Sequence, residues 1–487
     1  MPRRHLLWLL LAFAISIAVR APLLNRPLGA HHELCTALVL IVLHNWHTDG
    51  YVHHHSAPAI TFSGKADLIP PGYTDAPGLH DGTLYYLSHP PLAYDLPYLI
   101  FSIAGTEPNA LGLQLFNLFF HLITAVALYL IVRELLPRDD GSIAPFYGAV
   151  LYLFMPAPLW FHSNVYMSDM FVQNAWVWHI LVVLRLYRSN DRGWRWPLLA
   201  GLTLFITTCI SWPGVWAGVT LFGIAAFRWG RTRERQELRI MLMALLGVGL
   251  ALACTAWRWL QVVDSDGLMA YFTGRFADRG IAVDQGAWSS IKQLVVNYRT
   301  DYLPLIALVL AVLLARREAL RKASMRWPLF LALSGLPVLL DHVLLLQYAE
   351  HDFAALKGGV LLCLIGGVGL AALQARWSVA ILIATCLVGV LYFYRTNPFN
   401  SRNDERFTWQ KEQGVEIAIT SAADEMVFTN GFTPEPQVQW YAKRTLFRVD
   451  DLQQARDLLR ANGVERGIVF SENGTALMHE RIAREAP

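Results

Sequence analysis

The sequence predicts an all-α polytopic membrane protein that carries a small α/β extracytoplasmic domain at its C-terminal end. Of its 487 residues, 55% are hydrophobic and only 16% are charged, whereas soluble domains carry about 25% charged residues. Long apolar runs recur along residues 1–394, and the pattern then turns polar over 395–487. The composition therefore indicates that lipid is the solvent for the first segment and water for the second.

About eleven transmembrane helices are predicted, because a spanning helix needs about 20 mostly apolar residues. The first apolar run follows a basic start and lacks a small-x-small cleavage site, so it is expected to stay as an uncleaved span. The segments 32–46 and 91–104 are too short or too rich in proline to span, and we expect helices at the membrane interface. The predicted spans lie near residues 6–24, 109–132, 143–161, 170–187, 196–211, 213–228, 238–257, 302–315, 328–346, 354–373 and 377–394.

Basic residues indicate the orientation, since cytoplasmic loops of membrane proteins are enriched in lysine and arginine. Clusters of arginine fall at 3–4, 133–138, 185–195, 228–239 and 316–326. The long loop 25–105 contains only Arg26 and Lys65 as basic residues. We therefore expect a multi-pass protein of the bacterial inner membrane, with the N-terminus in the cytoplasm and with 25–105 and 395–487 outside.

Residues 395–487 read as a compact α/β unit. Three short apolar runs are typical of buried strands: Glu425-Met-Val-Phe-Thr, Thr445-Leu-Phe-Arg-Val and Gly467-Ile-Val-Phe. The stretch from Asp450 to Leu459 predicts an amphipathic helix, with Asp450 or Asp451 as its N-cap.

Polar residues at the outer ends of the predicted spans are the candidates for chemistry. They form three stretches, His31-His32-Glu33, Tyr166-Met-Ser-Asp169, and Tyr348 to Phe353 followed by Lys357. A carboxylate placed there can accept a proton, and cations can stabilise a departing anion. Structural interpretations stay open as well: Asp169 at a helix start would act as an N-cap, and His89-Pro90-Pro91 in the first outer loop would only open a helix.

Disulfides, a metal site in the outer loop and nucleic acid as a partner find less support. Four of the five cysteines lie in apolar runs, so a disulfide framework is not expected. The tract His53-His54-His55 would either bind a metal or form a solvated run, and both interpretations stay open. A net charge of +3 is too small to indicate nucleic acid as a partner.

Short motifs recur in a defined order along residues 1–370. They are His32-Glu33, Trp46-His-Thr-Asp-Gly50, Tyr86-Leu-Ser-His-Pro-Pro-Leu92, Gly105, Arg133-Glu-Leu-Leu136, Ser168-Asp169 and His351-Asp352-Phe353. In order and sidedness they resemble the GT-C membrane glycosyltransferases, in particular bacterial relatives of the dolichyl-phosphate-mannose protein mannosyltransferases and of the lipid A aminoarabinose transferases.

The resemblance implies transfer of a monosaccharide from a polyprenyl-phosphate-sugar donor to an extracytoplasmic glycan, lipid or protein acceptor, in contact with membrane lipid. It places a catalytic base in the first outer loop, where the family's Asp-Glu pair reads His32-Glu33 in this chain. Either Glu33 takes that role, or a His–Glu pair does. The second acidic position of the family matches Asp169, which would orient a substrate or help to hold a divalent cation, the one cofactor for which there is an argument.

A further set of residues is expected to bind the donor or the acceptor. The residues expected to bind substrate are Tyr86, His89, His351, Asp352 and Lys357. On charge alone, Arg275 and Arg299 are further candidates for the donor phosphate, and snorkelling at the interface explains them equally well.

Two rival functions remain open on the sequence. One is a multi-pass transporter or lipid flippase, although such proteins place polar residues near the bilayer midplane and the acidic residues here gather at one face. The other is a catalytically inactive GT-C scaffold. The absence of the first Asp of the family's Asp-Glu pair keeps this function open. Sugar, acceptor and oligomeric state are not defined by the sequence.

Overall fold

The computed structural model describes residues 2–29, 31–136, 142–279, 286–315, 327–395, 406–473 and 476–484. These residues are mostly helical and include seven helices long and apolar enough to cross a membrane, with shorter apolar helices beside them. The polytopic fold predicted from the sequence is therefore confirmed.

Helices of the membrane part occupy the predicted spans, although the one at 302–315 begins fifteen residues earlier, at Ala287. They are α1 Arg3–Arg20, α2 Glu33–Asn45, α3 Leu92–Ala104, α4 Ala110–Leu135, α5 Pro145–Phe154, α6 Pro156–Phe161, α7 Ser168–Leu186, α8 Arg195–Ile210, α9 Pro213–Thr232, α10 Arg235–Trp259, α11 Ser265–Arg279, α12 Ala287–Ala315, α13 Trp327–Leu344, α14 Leu356–Ala371 and α15 Ala375–Arg395. Short 3₁₀ turns at Leu346–Glu350 and Asp352–Ala355 join α13 to α14.

Each predicted span coincides with a helix, with one interruption. The range 143–161 is split into α5 and α6, because Met155 is extended (φ −78°, ψ 149°) ahead of Pro156. A residue before proline is disfavoured in the helical region, which explains the break. The two segments predicted to lie at the interface form helices α2 and α3. Arg138 and the basic residues at 316–326, which were used to predict the orientation, lie outside the described residues.

Small residues bring α14 close to α5 and α12. A Cβ on Gly367 would lie 2.5 Å from the backbone nitrogen of Gly148 on α5, so these two helices cross backbone to backbone. At the start of α14, Gly358 and Gly359 leave room for the hydroxyls of Tyr298 and Tyr302 on α12. This packing fixes the N-terminal end of α14, which carries the predicted site residue Lys357.

The C-terminal segment forms α16 Arg406–Thr420, α17 Pro436–Ala442 and α18 Leu452–Asn462 around a four-stranded sheet. Its strands are β3 Glu425–Asn430, β4 Leu446–Val449, β5 Arg466–Asn473 and β6 Ala476–Ala483, in the order β4-β3-β5-β6. Strand β3 is parallel to β4 and β5, and β6 is antiparallel to β5. The three predicted strands are confirmed, and Asp451 caps α18 by accepting from the backbone N–H of Gln454 at 2.7 Å.

The first outer loop packs onto this sheet. It includes a two-stranded ribbon, β1 Leu79–His80 and β2 Thr83–Leu84. Asp67 accepts from Nε of Arg444 at 3.0 Å and from the backbone N–H of Thr445 at 2.7 Å. Ala66 and Ile69 share a hydrophobic core with strand residues of the C-terminal segment. Two segments that the sequence treats separately therefore share one core.

Candidate active site

Asp169 is buried at the start of α7 and lies at the centre of the candidate site. The N-cap position of α7 is Met167, and no side chain caps the helix, so the interpretation of Asp169 as an N-cap is wrong. Instead, its Oδ2 accepts a hydrogen bond from the hydroxyl of Tyr348 at 2.8 Å. Its carboxylate is thereby oriented by the turn between α13 and α14.

Lys357 joins Asp169 to a second buried carboxylate. Its Nζ lies 3.5 Å from Oδ1 of Asp169 and 2.7 Å from Oδ2 of Asp341 on α13. It also lies 5.2 Å from the centre of the Tyr348 ring. All of these groups are buried, and a buried charge is stable only when it is paired in this way.

His89 approaches Asp169 from the outer loop, and Tyr86 lies beside His89. The Nε2 of His89 lies 3.8 Å from Oδ2 of Asp169, and its Nδ1 lies 3.4 Å from the hydroxyl of Ser211. Burial lowers the pKa of His89 to about 4, so its imidazole is neutral at pH 7. The ring of Tyr86 lies 6.0 Å from that of His89, and burial raises the pKa of Tyr86 to about 12.

Two arginines on α11 face the other side of this group. The guanidinium of Arg279 lies 4.9 Å from the centre of the Tyr348 ring, and it interacts with Tyr86 and Asp169. Arg275, one helical turn earlier, lies over the ring of Tyr271. The sequence pointed to Arg275 but missed Arg279, although their spacing of four residues places both on one helix face.

Both arginines line a cavity of about 550 Å³ beside α9, α10 and α11. Most of its wall is apolar, and its other lining residues are Ser88, Trp212, Val215, Trp216, Leu252, Tyr271, Phe272, Thr273, Phe276 and Leu345. Arg299 is not among them: its side chain is exposed, and its carbonyl accepts from Tyr392. The cavity thus combines an apolar wall with two cations, of which Arg279 interacts with Asp169.

A second cluster lies next to the first. His31 and His32 both point Nε2 at the carboxylate of Asp352, at 2.5 Å and 3.0 Å. The ring of His351 lies 5.6 Å from that of His32 and 5.2 Å from that of Tyr348. His351 therefore connects the two clusters, and burial lowers its pKa to about 4.

The ligand atoms of His31, His32 and Asp352 all lie within 4.8 Å of one another, which is compatible with a metal ion. The sequence pointed to a different metal candidate, the triple-histidine tract at 53–55. There, the Nε2 of His54 contacts Asp49 at 3.1 Å, whereas His53 and His55 are exposed.

Glu33, the first residue of α2, has different surroundings. Its Oε1 accepts from Arg26 at 2.6 Å and its Oε2 accepts from the backbone N–H of Gly29 at 2.9 Å. Arg26 also lies over the ring of Trp160 at 5.4 Å. These contacts fasten the loop ahead of α2. Glu33 as the catalytic base stays a prediction.

Comparison of the sequence with known protein families and with curated proteins gave no match. Solved structures do match. ArnT from Cupriavidus metallidurans bound to undecaprenyl phosphate has a TM-score of 0.63 at 11% identity, covering 96% of this chain and 93% of that one. Its apo form gives the same TM-score at 13% identity.

A second protein shares the architecture. The archaeal oligosaccharyltransferase AglB from Archaeoglobus fulgidus, in complex with an inhibitory peptide and a dolichol-phosphate, has a TM-score of 0.60 at 12% identity. That alignment covers 96% of this chain and 69% of AglB. Together these matches show that this chain has the same fold as ArnT and AglB, the fold that the motif order led us to expect.

Proposed function

We propose that this chain is a glycosyltransferase that moves a monosaccharide from a polyprenyl-phosphate donor to an acceptor outside the cytoplasm. The observation that carries the proposal is the apolar cavity with Arg275 and Arg279 on its wall, next to the buried carboxylate of Asp169. Apolar walls with a few placed charges suit an amphipathic ligand, and arginine suits a phosphate. The undecaprenyl phosphate in ArnT and the dolichol-phosphate in AglB support this donor class.

In the proposed reaction, an acceptor hydroxyl attacks the anomeric carbon of the donor sugar. The new carbon–oxygen bond forms as the bond to the phosphate oxygen breaks, and the phosphate leaves with the electron pair. Arg275 and Arg279 stabilise its developing negative charge. Asp169 accepts the proton of the hydroxyl, and attack opposite the leaving group inverts the anomeric centre.

We assign the base to Asp169 rather than Glu33, because Arg279 on the cavity wall interacts with Asp169, whereas Glu33 is paired with Arg26 and neither of these two residues lines the cavity. Tyr348, Lys357 and His89 orient Asp169. The site lies at the ends of helices that we place on the outer side of a bacterial inner membrane, and the arginine-rich ends lie on the cytoplasmic side. Glycan, lipid and protein acceptors all fit this proposal.

The first test compares surface glycans from cells with and without the chain by mass spectrometry, which identifies the sugar that is transferred. Cells that lack the chain are then complemented with Asp169→Asn. The rate of sugar transfer should be about 10²–10⁴-fold lower than with wild type, since the amide cannot accept the proton. Asp266→Asn, an exposed carboxylate on α11, is the matched control and should transfer normally. Wild-type transfer by the Asp169 variant would contradict the assignment of the base.

The second test measures binding of undecaprenyl phosphate to purified protein in lipid nanodiscs by native mass spectrometry. Arg279→Ala should weaken binding by about 10- to 150-fold, which corresponds to the loss of a hydrogen bond to a charged group. The exposed Arg299 serves as the control, because Arg299→Ala should bind as wild type does. Movement of lipid across the bilayer without any change in surface glycans would instead support the transporter function.

A further inference from the structure

A second, smaller cavity lies at the end of the membrane helices that is far from Asp169. Helix α7 begins next to Asp169 and ends at Leu186, about 27 Å away at 1.5 Å per residue. Beyond that end, the segment ahead of α8 and the start of α10 enclose an open cavity of about 340 Å³. This arginine cavity is lined by Arg192, Glu234, Arg235, Gln236 and Arg239.

Positive charge is in excess on the lining of the arginine cavity. Its three arginines face one carboxylate, Glu234, which is already paired with Arg192. The next acidic residue on α10, Glu237, is buried and paired with Arg228 at 2.7 Å. Arg235 is exposed, and it forms no hydrogen bond or ion pair with any residue that the structure describes. A guanidinium is therefore available to an anionic ligand.

Arg239 holds the two sides of the arginine cavity together. Its guanidinium lies 5.0 Å from the centre of the Trp194 ring and donates to the carbonyl of Arg192. The segment ahead of α8 is thereby fixed against the start of α10. Side chains four residues apart lie on one face of a helix, so Arg235 and Arg239 border the same space.

Two helices begin beside the arginine cavity. Helix α8 begins at Arg195 and α10 at Arg235, and no side chain caps either of them. The free backbone N–H groups of a first turn, together with the helix dipole, favour an anion. The side chain of Gln236 is 9% exposed, and its Oε1 has no hydrogen-bond partner among the described residues. This amide on the cavity wall is therefore also available to a ligand.

The helix surfaces next to the arginine cavity are apolar and exposed. Helices α8 and α10 pack so closely that a Cβ on Gly201 would lie 2.9 Å from the carbonyl oxygen of Met243. Exposed leucines occur on both helices at spacings of three or four residues: Leu198 and Leu202 on α8, and Leu238, Leu242 and Leu245 on α10. Such spacing produces an apolar stripe along each helix. A soluble phosphate would make no contact with these stripes, whereas acyl chains fit along them.

We propose that the arginine cavity binds the phosphate of an anionic phospholipid, whose acyl chains lie along the leucines of α8 and α10. Arg235 and Arg239 hold the phosphate, because guanidinium groups match phosphate oxygens in geometry and charge. The lipid is anionic, because the ammonium of a zwitterionic head group would add positive charge to a lining that already has an excess. Basic pockets at the cytoplasmic ends of membrane helices bind such head groups, and we place the arginine-rich ends in the cytoplasm.

The test measures lipid binding alone, with no sugar donor or acceptor present. Full-length protein is purified in nanodiscs that contain phosphatidylglycerol and phosphatidylcholine, and native mass spectrometry counts the lipids that stay bound. We expect wild type to retain phosphatidylglycerol in preference to phosphatidylcholine. Arg235→Gln should lower the affinity for phosphatidylglycerol about fivefold, and Arg235→Gln/Arg239→Gln about 25-fold, as expected for basic residues near an anionic membrane surface.

The matched control is Arg376→Gln. Arg376 is exposed at the start of α15 and lies over the Trp377 ring at 5.6 Å, but it does not line the arginine cavity, so this variant should bind as wild type does. Arg235→Lys keeps the charge and should lose less affinity than Arg235→Gln, and circular dichroism verifies that each variant is folded. The proposal is overturned if wild type retains both lipids equally, if the double variant binds undiminished, or if the control loses the lipid.

Competition with glycerol 3-phosphate separates a lipid from a soluble phosphate. We expect an equimolar amount to leave phosphatidylglycerol bound, and displacement would overturn the assignment to a lipid. The proposal is also independent of the proposed sugar transfer. Arg235→Gln should bind undecaprenyl phosphate as wild type does, because the arginine cavity lies at the other end of α7, and weaker binding of that donor lipid would contradict a separate phospholipid site.

Discussion

Replacement of Glu33 by glutamine separates a structural role from a catalytic one. The side chain of Glu33 is 1% exposed and that of Arg26 is 12% exposed, and their closest atoms are 2.6 Å apart. Breaking a buried ion pair costs about 3–5 kcal/mol, and the partial exposure of Arg26 favours the lower end, about 3 kcal/mol. Glu33→Gln should therefore lower the free energy of unfolding by about 3 kcal/mol, while turnover per folded molecule falls by less than about tenfold.

The assay combines urea unfolding in detergent, followed by tryptophan fluorescence, with sugar transfer normalised to folded protein. Arg26→Gln combined with Glu33→Gln should recover part of the lost stability, because no uncompensated charge remains. Glu107→Gln, an exposed carboxylate of the same outer region, controls for the substitution itself. Unchanged stability together with a loss of turnover of about 10²–10⁴-fold would refute this reasoning and make Glu33 the base, as the sequence predicted.

Three further outcomes follow from buried charges. Lys357→Met removes the cation that Asp341 and Asp169 share and should lower the free energy of unfolding by about 3–5 kcal/mol. Adding Asp341→Asn should restore part of that loss, and no restoration would contradict the pairing. Arg444→Ala leaves the buried carboxylate of Asp67 without its cation, which should loosen the outer loop from the C-terminal sheet. Limited proteolysis should then cut that loop faster than in wild type. An unchanged rate of cleavage would contradict the stabilising contact between the loop and the sheet. The pKa of His89 is about 4 in the folded protein and about 6.5 when unfolded, so the unfolded state binds more protons between these values. The contribution of neutral His89 to stability is therefore present above pH 6.5 and is lost toward pH 4. Over this range the free energy of unfolding should fall by up to about 1.4 kcal/mol per pH unit. His89→Gln should remove that part of the pH dependence, as measured by unfolding at several pH values.

The membrane part could be predicted because a lipid solvent imposes long apolar runs on the sequence. The positions of the helices follow directly from those runs, and even the division of the span at 143–161 is visible as Pro156. Strand β6 was missed because its sequence, Ala-Leu-Met-His-Glu-Arg-Ile-Ala, mixes charged with apolar residues. It forms one edge of the sheet, where such a composition is expected.

The candidate site was predictable where polar residues stand out at the ends of apolar runs. Asp169 and Lys357 were found in this way and His89 through the motif resemblance, and the structure brings the three together. Asp341 and Asp301 lie at or inside predicted spans, where an acidic residue is itself a functional signal, yet neither was selected. Which of several acids meets which cation depends on helix rotation and crossing, and that information is absent from a linear pattern.

The contact between the outer loop and the C-terminal sheet also has a consequence for biosynthesis. Asp67 and Arg444 are separated by 377 residues, and at about 5–20 residues per second a ribosome needs roughly 20–75 s to make the intervening chain. During that time the loop lacks the partner that completes its core, while the helices between them insert into the membrane. A nascent chain that stops before Arg444 therefore exposes an outer loop whose core is incomplete.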